Sequence, residues 1–297
     1  MCGSELLTRR AVHSVVDMPH HAFDASTHAR MFHPEHLGLI DPFIGVDLFH
    51  MPQNFFLPHP HGGMSAVTLL LDDSPGGVIN RDSLGDHSTI QPGDLHWTQA
   101  GRGIVHEETP SQPGRAAIGL QIFVNMARSH KQDPAAVFKV DRADMPVWQG
   151  PGVQVKVAAG SFAGLNSPIA ADPRWSTHVD LLAITLEPDS RIDLPVDNAA
   201  NGFLIVTAGS LQANDEAARA DQTVVLSPAP TDAAGRSVLT LNSGASGAHA
   251  VLLAGVPLRE PVVPYGPFVG NSRQDIAAYA QAFQRGDMGL LEPSFSR

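Results

Sequence analysis

The sequence predicts an all-β protein built as two antiparallel barrels, and three observations carry that expectation. The chain holds 27 glycines and 24 prolines in 297 residues, a composition that suits many short strands joined by tight turns. Its apolar residues fall in short runs or in strict alternation, as in Val153-Gln154-Val155-Lys156-Val157, which is the period of a strand. The length exceeds the usual single domain, and 43% hydrophobic residues supply material for two cores.

Taken in order, residues 11–37 are polar and scattered with histidines (His13, His20, His21, His28, His33, His36). They are expected as a strand over 11–16 followed by a loop. None of these histidines stands in a paired spacing near a turn, so each is read as a surface residue. Residues 41–47 turn into an extended segment, and Phe55-Phe56-Leu57 leads into the stretch 59–108. Residues 117–125 are almost continuously apolar, as in a strand buried on both faces. Residues 141–152 hold two prolines and two glycines and read as a linker. The expected domains are therefore 1–143 and 144–297. In the second, apolar runs over 181–186, 203–206 and 250–255 are expected strands, with turns at Gly209-Ser210, Asn214-Asp215 and Asn242-Ser243-Gly244. His178 and His249 stand alone there, so the second barrel is expected to be metal-free. A helix closes the chain. Ser272 and Asp275 form its capping box, Ile276, Tyr279, Ala280 and Phe283 its packing stripe, and Gly286 its end.

A net charge of −11, with 19 basic residues in no run, argues against a phosphate-binding surface, so no direct nucleic-acid partner is expected. Cys2 is the only cysteine, which leaves no intramolecular disulfide and no zinc-thiolate site. No apolar stretch suits a secretory leader or a membrane helix. The expectation is a soluble, cytoplasmic monomer.

Residues 59–108 organise the first half. They open with His59-Pro60-His61-Gly62-Gly63 and close with Gly103-Ile104-Val105-His106-Glu107-Glu108. Positions two apart on a strand share a face, so His59 and His61 project together, as do His106 and Glu108, while Glu107 faces away. The intervening chain is long enough for a few antiparallel strands to bring the pairs together. Three imidazoles and a carboxylate suit one divalent metal: iron, nickel, cobalt, manganese, copper or zinc. Asp94 and His96 share this parity, but they are read as a solvated strand face.

These residues also carry a resemblance. His59-Pro60-His61 with Gly63, Arg81-Asp82-Ser83-Leu84-Gly85, Pro92-Gly93-Asp94-Leu95 and Gly101-Arg102-Gly103-Ile104-Val105-His106 with Glu108 closely resemble the pirin family. So do Asp41-Pro42-Phe43, Gly119-Leu120-Gln121 and, near the end, Gly255-Val256-Pro257-Leu258-Arg259-Glu260-Pro261 and Gly266-Pro267-Phe268. The resemblance implies a bicupin, two jelly-roll-like cupin barrels in one chain. It also implies a metal, commonly iron, on His59, His61, His106 and Glu108. Where the family often carries a bulky basic or aliphatic residue after the second histidine, and a glutamate three further on, this chain has Gly62 and Ser65. Tyr265 replaces a histidine of some members. Some bacterial pirins resemble quercetinases, which implies a flavonol-like substrate, O₂ and Glu108 as general base. Nuclear members imply the alternative, a non-catalytic, redox-sensitive iron protein that binds a protein partner. A metal that only staples the barrel is the third reading.

Overall fold

The computed structural model describes residues 8–34, 37–229 and 235–296. Cys2, the N-terminal segment read for a leader, and His36 lie outside them. The regular structure of the described chain is almost entirely strand, with one α-helix, Arg273–Gln284, and three 3₁₀ turns. Among the described residues no helix is long and apolar enough to cross a membrane.

The first half is two sheets face to face. One runs Ala136–Val140, Leu95–Gln99, Met64–Leu70, Ala117–Asn125, Phe43–Met51, His28–Phe32, His20–Ala22 in spatial order. The other runs His59–His61, Ile104–Pro110, Val78–Asp82, His87–Ile90. Strand pleating gives the seven-stranded sheet two different faces. Val67, Leu69, Leu120, Ile122 and Trp97 point away from the barrel and pack against Leu181, Phe203, Ile205 and Leu253 of the second half. The alternate residues, Thr68, His96 and Gln121, point inward. The second half is a ten-stranded sheet whose interior is filled by Val155, Leu182, Leu194, Leu204, Leu239 and their neighbours, all apolar.

Neither barrel is built from one continuous piece of chain. Val12–Asp17 pairs antiparallel with Gln222–Leu226 of the second sheet. Buried Arg10 reaches across the same sheet to the Ala200 carbonyl. At the other end, Phe268, Tyr279 and Met288 pack on Val105 of the first barrel. Division near residue 143 is thus proposed only for the connection between the sheets.

Several sequence expectations are corrected. The supposed loop after residue 16 contains a hairpin, His20–Ala22 with His28–Phe32. Its histidines obscure a strand pattern: His20–Ala22 is the edge strand of the sheet, and His28–Phe32 lies between it and Phe43–Met51. The expected linker includes a strand, Val147–Gly150, paired to Val153–Ala159. Gly209-Ser210 and Asn242-Ser243-Gly244 are not turns but lie inside the long strands Asn201–Ala213 and Arg236–Gly255. The register shifts between Gly209 and Leu211, so this glycine sits at an irregularity in the ladder. In the helix, Ser272 caps as expected, its Oγ accepting from Asp275 N at 3.2 Å, and the Asp275 carboxylate accepts from Asn271 N at 2.9 Å and also meets the Ser272 backbone. Tyr279 is buried, yet Phe283 is 42% exposed, and Ala282 packs on the cluster in its place.

Candidate metal centre

His59–His61 and Ile104–Pro110 are adjacent antiparallel strands, with His59 opposite His106 and His61 opposite Ile104. This register puts the three imidazoles on one inward face. Ring centroids lie 4.7 Å (His59–His106), 4.8 Å (His61–His106) and 5.0 Å (His59–His61) apart. One ring nitrogen from each falls within 4.8 Å of the others. His59 Nδ1 donates to the Leu57 carbonyl at 2.9 Å, which leaves its Nε2 lone pair free. Burial pushes His61 down to about 3, with His59 adding to the effect, and holds His106 well below the usual imidazole range. Both are therefore neutral near pH 7, the form that donates to a metal. His61 Nδ1 and His106 Nδ1 are buried without a hydrogen-bond partner. Orphaned imidazole nitrogens in a three-histidine cluster fit a bound cation.

Glu108 lies in the same cavity but outside this cluster. Thr68 Oγ1 donates to Glu108 Oε1 at 2.8 Å, with Oε2 at 3.0 Å. Burial raises the proton affinity of this carboxyl, while His96, Thr68 and His59 pull it the other way. Glu107, one residue off, faces away as parity requires. It accepts from Arg81 Nη1 at 2.9 Å and from Ser294 N at 3.1 Å.

The reading of Asp94 and His96 as a solvated face is wrong. His96 is 1% exposed and Asp94 6%, because their strand lies inside the seven-stranded sheet, covered on both faces. Asp94 closes the turn before it by accepting from Gln91 N and Arg142 N, each at 2.7 Å. His96 Nε2 lies 3.5 Å from Asp86 Oδ2, and this contact heads the interactions that hold the Asp86 carboxyl below its usual range. The sequence also gave no reason to single out Thr68. The signal was a hydroxyl inside the apolar run Val67 to Leu71.

Above the histidines is a cavity of about 240 Å³ lined by Phe23, Met31, Phe49, Phe56 and Phe123, with polar Thr27, Asp47 and Gln121 between them. His28, also on its wall, is stacked on His50 at 4.7 Å and 17°.

The family model described as Pirin matches residues 19–124, and that described as Pirin C-terminal cupin domain matches 181–289. The chain belongs to the pirin family. A pirin-like protein of Solanum lycopersicum is 33% identical over 84% of this chain and 83% of its own. A Pseudomonas aeruginosa protein that carries the provisional name quercetin 2,3-dioxygenase is 34% identical over 84% of this chain and 87% of its own. The crystal structure of an Acinetobacter baumannii protein titled quercetin 2,3-dioxygenase superposes with a TM-score of 0.83, at 24% identity over 96% of this chain and all of that one. At that identity it shows the fold. The bicupin architecture expected of the sequence is thereby established.

Proposed function

We propose that this pirin-family chain is a metal-dependent dioxygenase that opens quercetin or a related flavonol or enol with O₂, with iron as the working metal. The observation that carries this reading is the convergence of three imidazoles at one wall of an aromatic cavity that also holds a buried carboxylate. The provisional name of the Pseudomonas relative supports it.

The metal would be held by His59, His61 and His106, with Glu108 as the fourth candidate ligand. When bound, it would supply acidity to a coordinated enolic hydroxyl and bring substrate and O₂ together. The chain's own residues do the rest. Phe23, Phe49, Phe56 and Phe123 offer apolar walls and ring edges to a flat substrate and limit the water around it. Glu108 accepts the hydroxyl proton on a carboxylate oxygen. Burial raises its affinity for that proton, which suits a general base. Thr27, Asp47 and Gln121 give polar positions at which substrate hydroxyls can be oriented.

The test is oxygen-dependent loss of quercetin absorbance with carbon monoxide detection, in protein loaded separately with iron, nickel, manganese or copper. His59→Ala serves as the control. Turnover that disappears in the control supports the reading and names the metal. No turnover with any metal, in protein shown to be loaded, overturns it and favours the redox-sensitive regulator. One feature weighs against that alternative. The nuclear members' interaction surface includes a basic side chain where this chain has Gly62. A Cβ there would lie 2.8 Å from Tyr279 Cδ1 and 3.3 Å from Phe268 Cδ1, so the C-terminal segment fills that space.

A further inference from the structure

We propose that His33 and Asp47 form a hydroxyl-reading pair at the aromatic cavity. Asp47 accepts a hydrogen bond from a substrate hydroxyl remote from the metal-binding end, and His33 is the positioning residue that aims its carboxylate. The proposal rests on the flavonol reading above and deepens it: the preferred substrates carry further hydroxyls besides the enolic one.

Asp47 stands on the strand Phe43–Met51, on the face that also brings Phe49 and Met51 to the cavity wall. Its register partners are Met31 on one side and Gln121 on the other, both on that wall as well. A carboxylate only accepts, so the imidazole is the donor in the 2.6 Å contact between His33 Nε2 and Asp47 Oδ1. Among the described residues this is the one hydrogen bond of the Asp47 side chain. Its Oδ2 is left to the cavity, between phenylalanine and methionine side chains. An acceptor in such surroundings favours a ligand that brings a donor there and disfavours one that brings a second acceptor. A phenolic O–H meets that demand; an ether oxygen or a bare ring edge does not.

His33 has a seat made for it. A Cβ at Gly45 would lie 2.7 Å from His33 Nδ1 and 2.8 Å from its Cε1. Gly45 is in mid-strand and is not among the positive-φ glycines, so its backbone does not call for glycine; the imidazole lying over it does. Phe123 is the register partner of Gly45. Its ring centroid is 6.1 Å from that of His33 and 6.5 Å from that of His61. Phe123 thus stands between the pair and the metal wall, and a flat ligand lying along it can offer one end to the metal and the other to Asp47. Stability does not account for this niche. The His33 side chain is 39% exposed, and a contact so open to water contributes little.

The experiment uses the full chain loaded with iron(II) and kept free of oxygen, so that a flavonol binds without turnover. Absorbance titration gives the affinity of two probes, quercetin and 3-hydroxyflavone. They share the enolic hydroxyl and the carbonyl, and quercetin alone carries further hydroxyls. Wild type should prefer quercetin about ten- to a hundredfold, the scale of a hydrogen bond to a charged group. Asp47→Ala should erase the preference by weakening quercetin alone. His33→Ala, and Gly45→Ala, which unseats the ring, should each reduce it about three- to tenfold. His33→Gln, which can still donate, should restore it. 3-Hydroxyflavone should bind alike throughout, a constancy that general damage to the cavity would not allow. Equal losses for the two flavonols would overturn the proposal, as would an Asp47→Ala protein with the wild-type preference. Should Asp47→Ala not fold, Asp47→Asn, of the same size, still decides: it must weaken quercetin and spare 3-hydroxyflavone. A loaded protein that binds neither flavonol refutes both this pair and the dioxygenase. One that keeps the Asp47-dependent preference but turns over no flavonol when oxygen is admitted refutes only the dioxygenase.

Discussion

The Tyr279 hydroxyl donates to the Lys131 carbonyl at 2.9 Å. That bond ties the C-terminal helix to the first barrel beside the metal strand. Lys131 Nζ in turn donates to Gly63 O at 2.5 Å, Asn125 Oδ1 at 2.6 Å and Val269 O at 3.1 Å. The tail of the chain is thereby keyed to the turn that follows His61. Losing only the hydroxyl, in Tyr279→Phe, should cost about 1 kcal/mol in urea unfolding. Losing the ring that stacks on Phe268, in Tyr279→Ala, should cost about 3–5 kcal/mol. Equal losses in the two variants would show that the ring contributes nothing.

Gly63 adopts φ +73°, and a Cβ there would sit 2.0 Å from the Val269 carbonyl oxygen. No side-chain rotation relieves a clash with backbone. Gly63→Ala should lower unfolding free energy by at least about 2 kcal/mol. It should also weaken metal binding, because the strand carrying His61 must shift. Metal titration of the variant, with a Kd equal to that of wild type, would refute that coupling.

Burial pushes Lys131 down to about 8 from 10.5, with Glu260 and Asp275 partly offsetting it. The folded chain therefore gives up this proton before the unfolded chain does. Between about pH 8 and 10.5 the unfolded state holds more protons, so this group's contribution raises stability as pH rises through that window. Below it, the fold bears the full cost of a buried cation. Relative to Lys131→Met, wild type should gain up to about 3 kcal/mol across the window. Unfolding curves whose difference is independent of pH would rule this out.

Metal should stabilise the fold by mass action. At 100 times Kd the gain is about 2.7 kcal/mol, and a chelator should remove it. His106→Ala, which takes away the imidazole opposite His59, should show no gain at the same metal concentration. Thermal unfolding with and without metal measures both.

Glu108→Gln keeps the size of the side chain and removes the base. With metal content unchanged, kcat for flavonol cleavage should fall about 10²- to 10⁴-fold. Unchanged turnover would exclude Glu108 as the base.

Much of the centre was legible before any coordinates. A strand alternates faces with a period of two, so His59 with His61, His106 with Glu108, and the outward turn of Glu107 follow from local geometry alone. The run 117–125 likewise became the strand Ala117–Asn125, because a continuously apolar strand is buried on both faces wherever it lies. Tertiary structure decided what local periodicity does not encode. His96 and Asp94 have the alternation of an exposed strand, and only the two layers closing over their sheet bury them. Val12–Asp17 reads as a strand of its own half, but the sheet that pairs it lies two hundred residues away in sequence. The contact of Glu108 with Thr68 depends on two sheets meeting face to face. Parity fixes which way a side chain points; what it meets there is set by the sheet opposite.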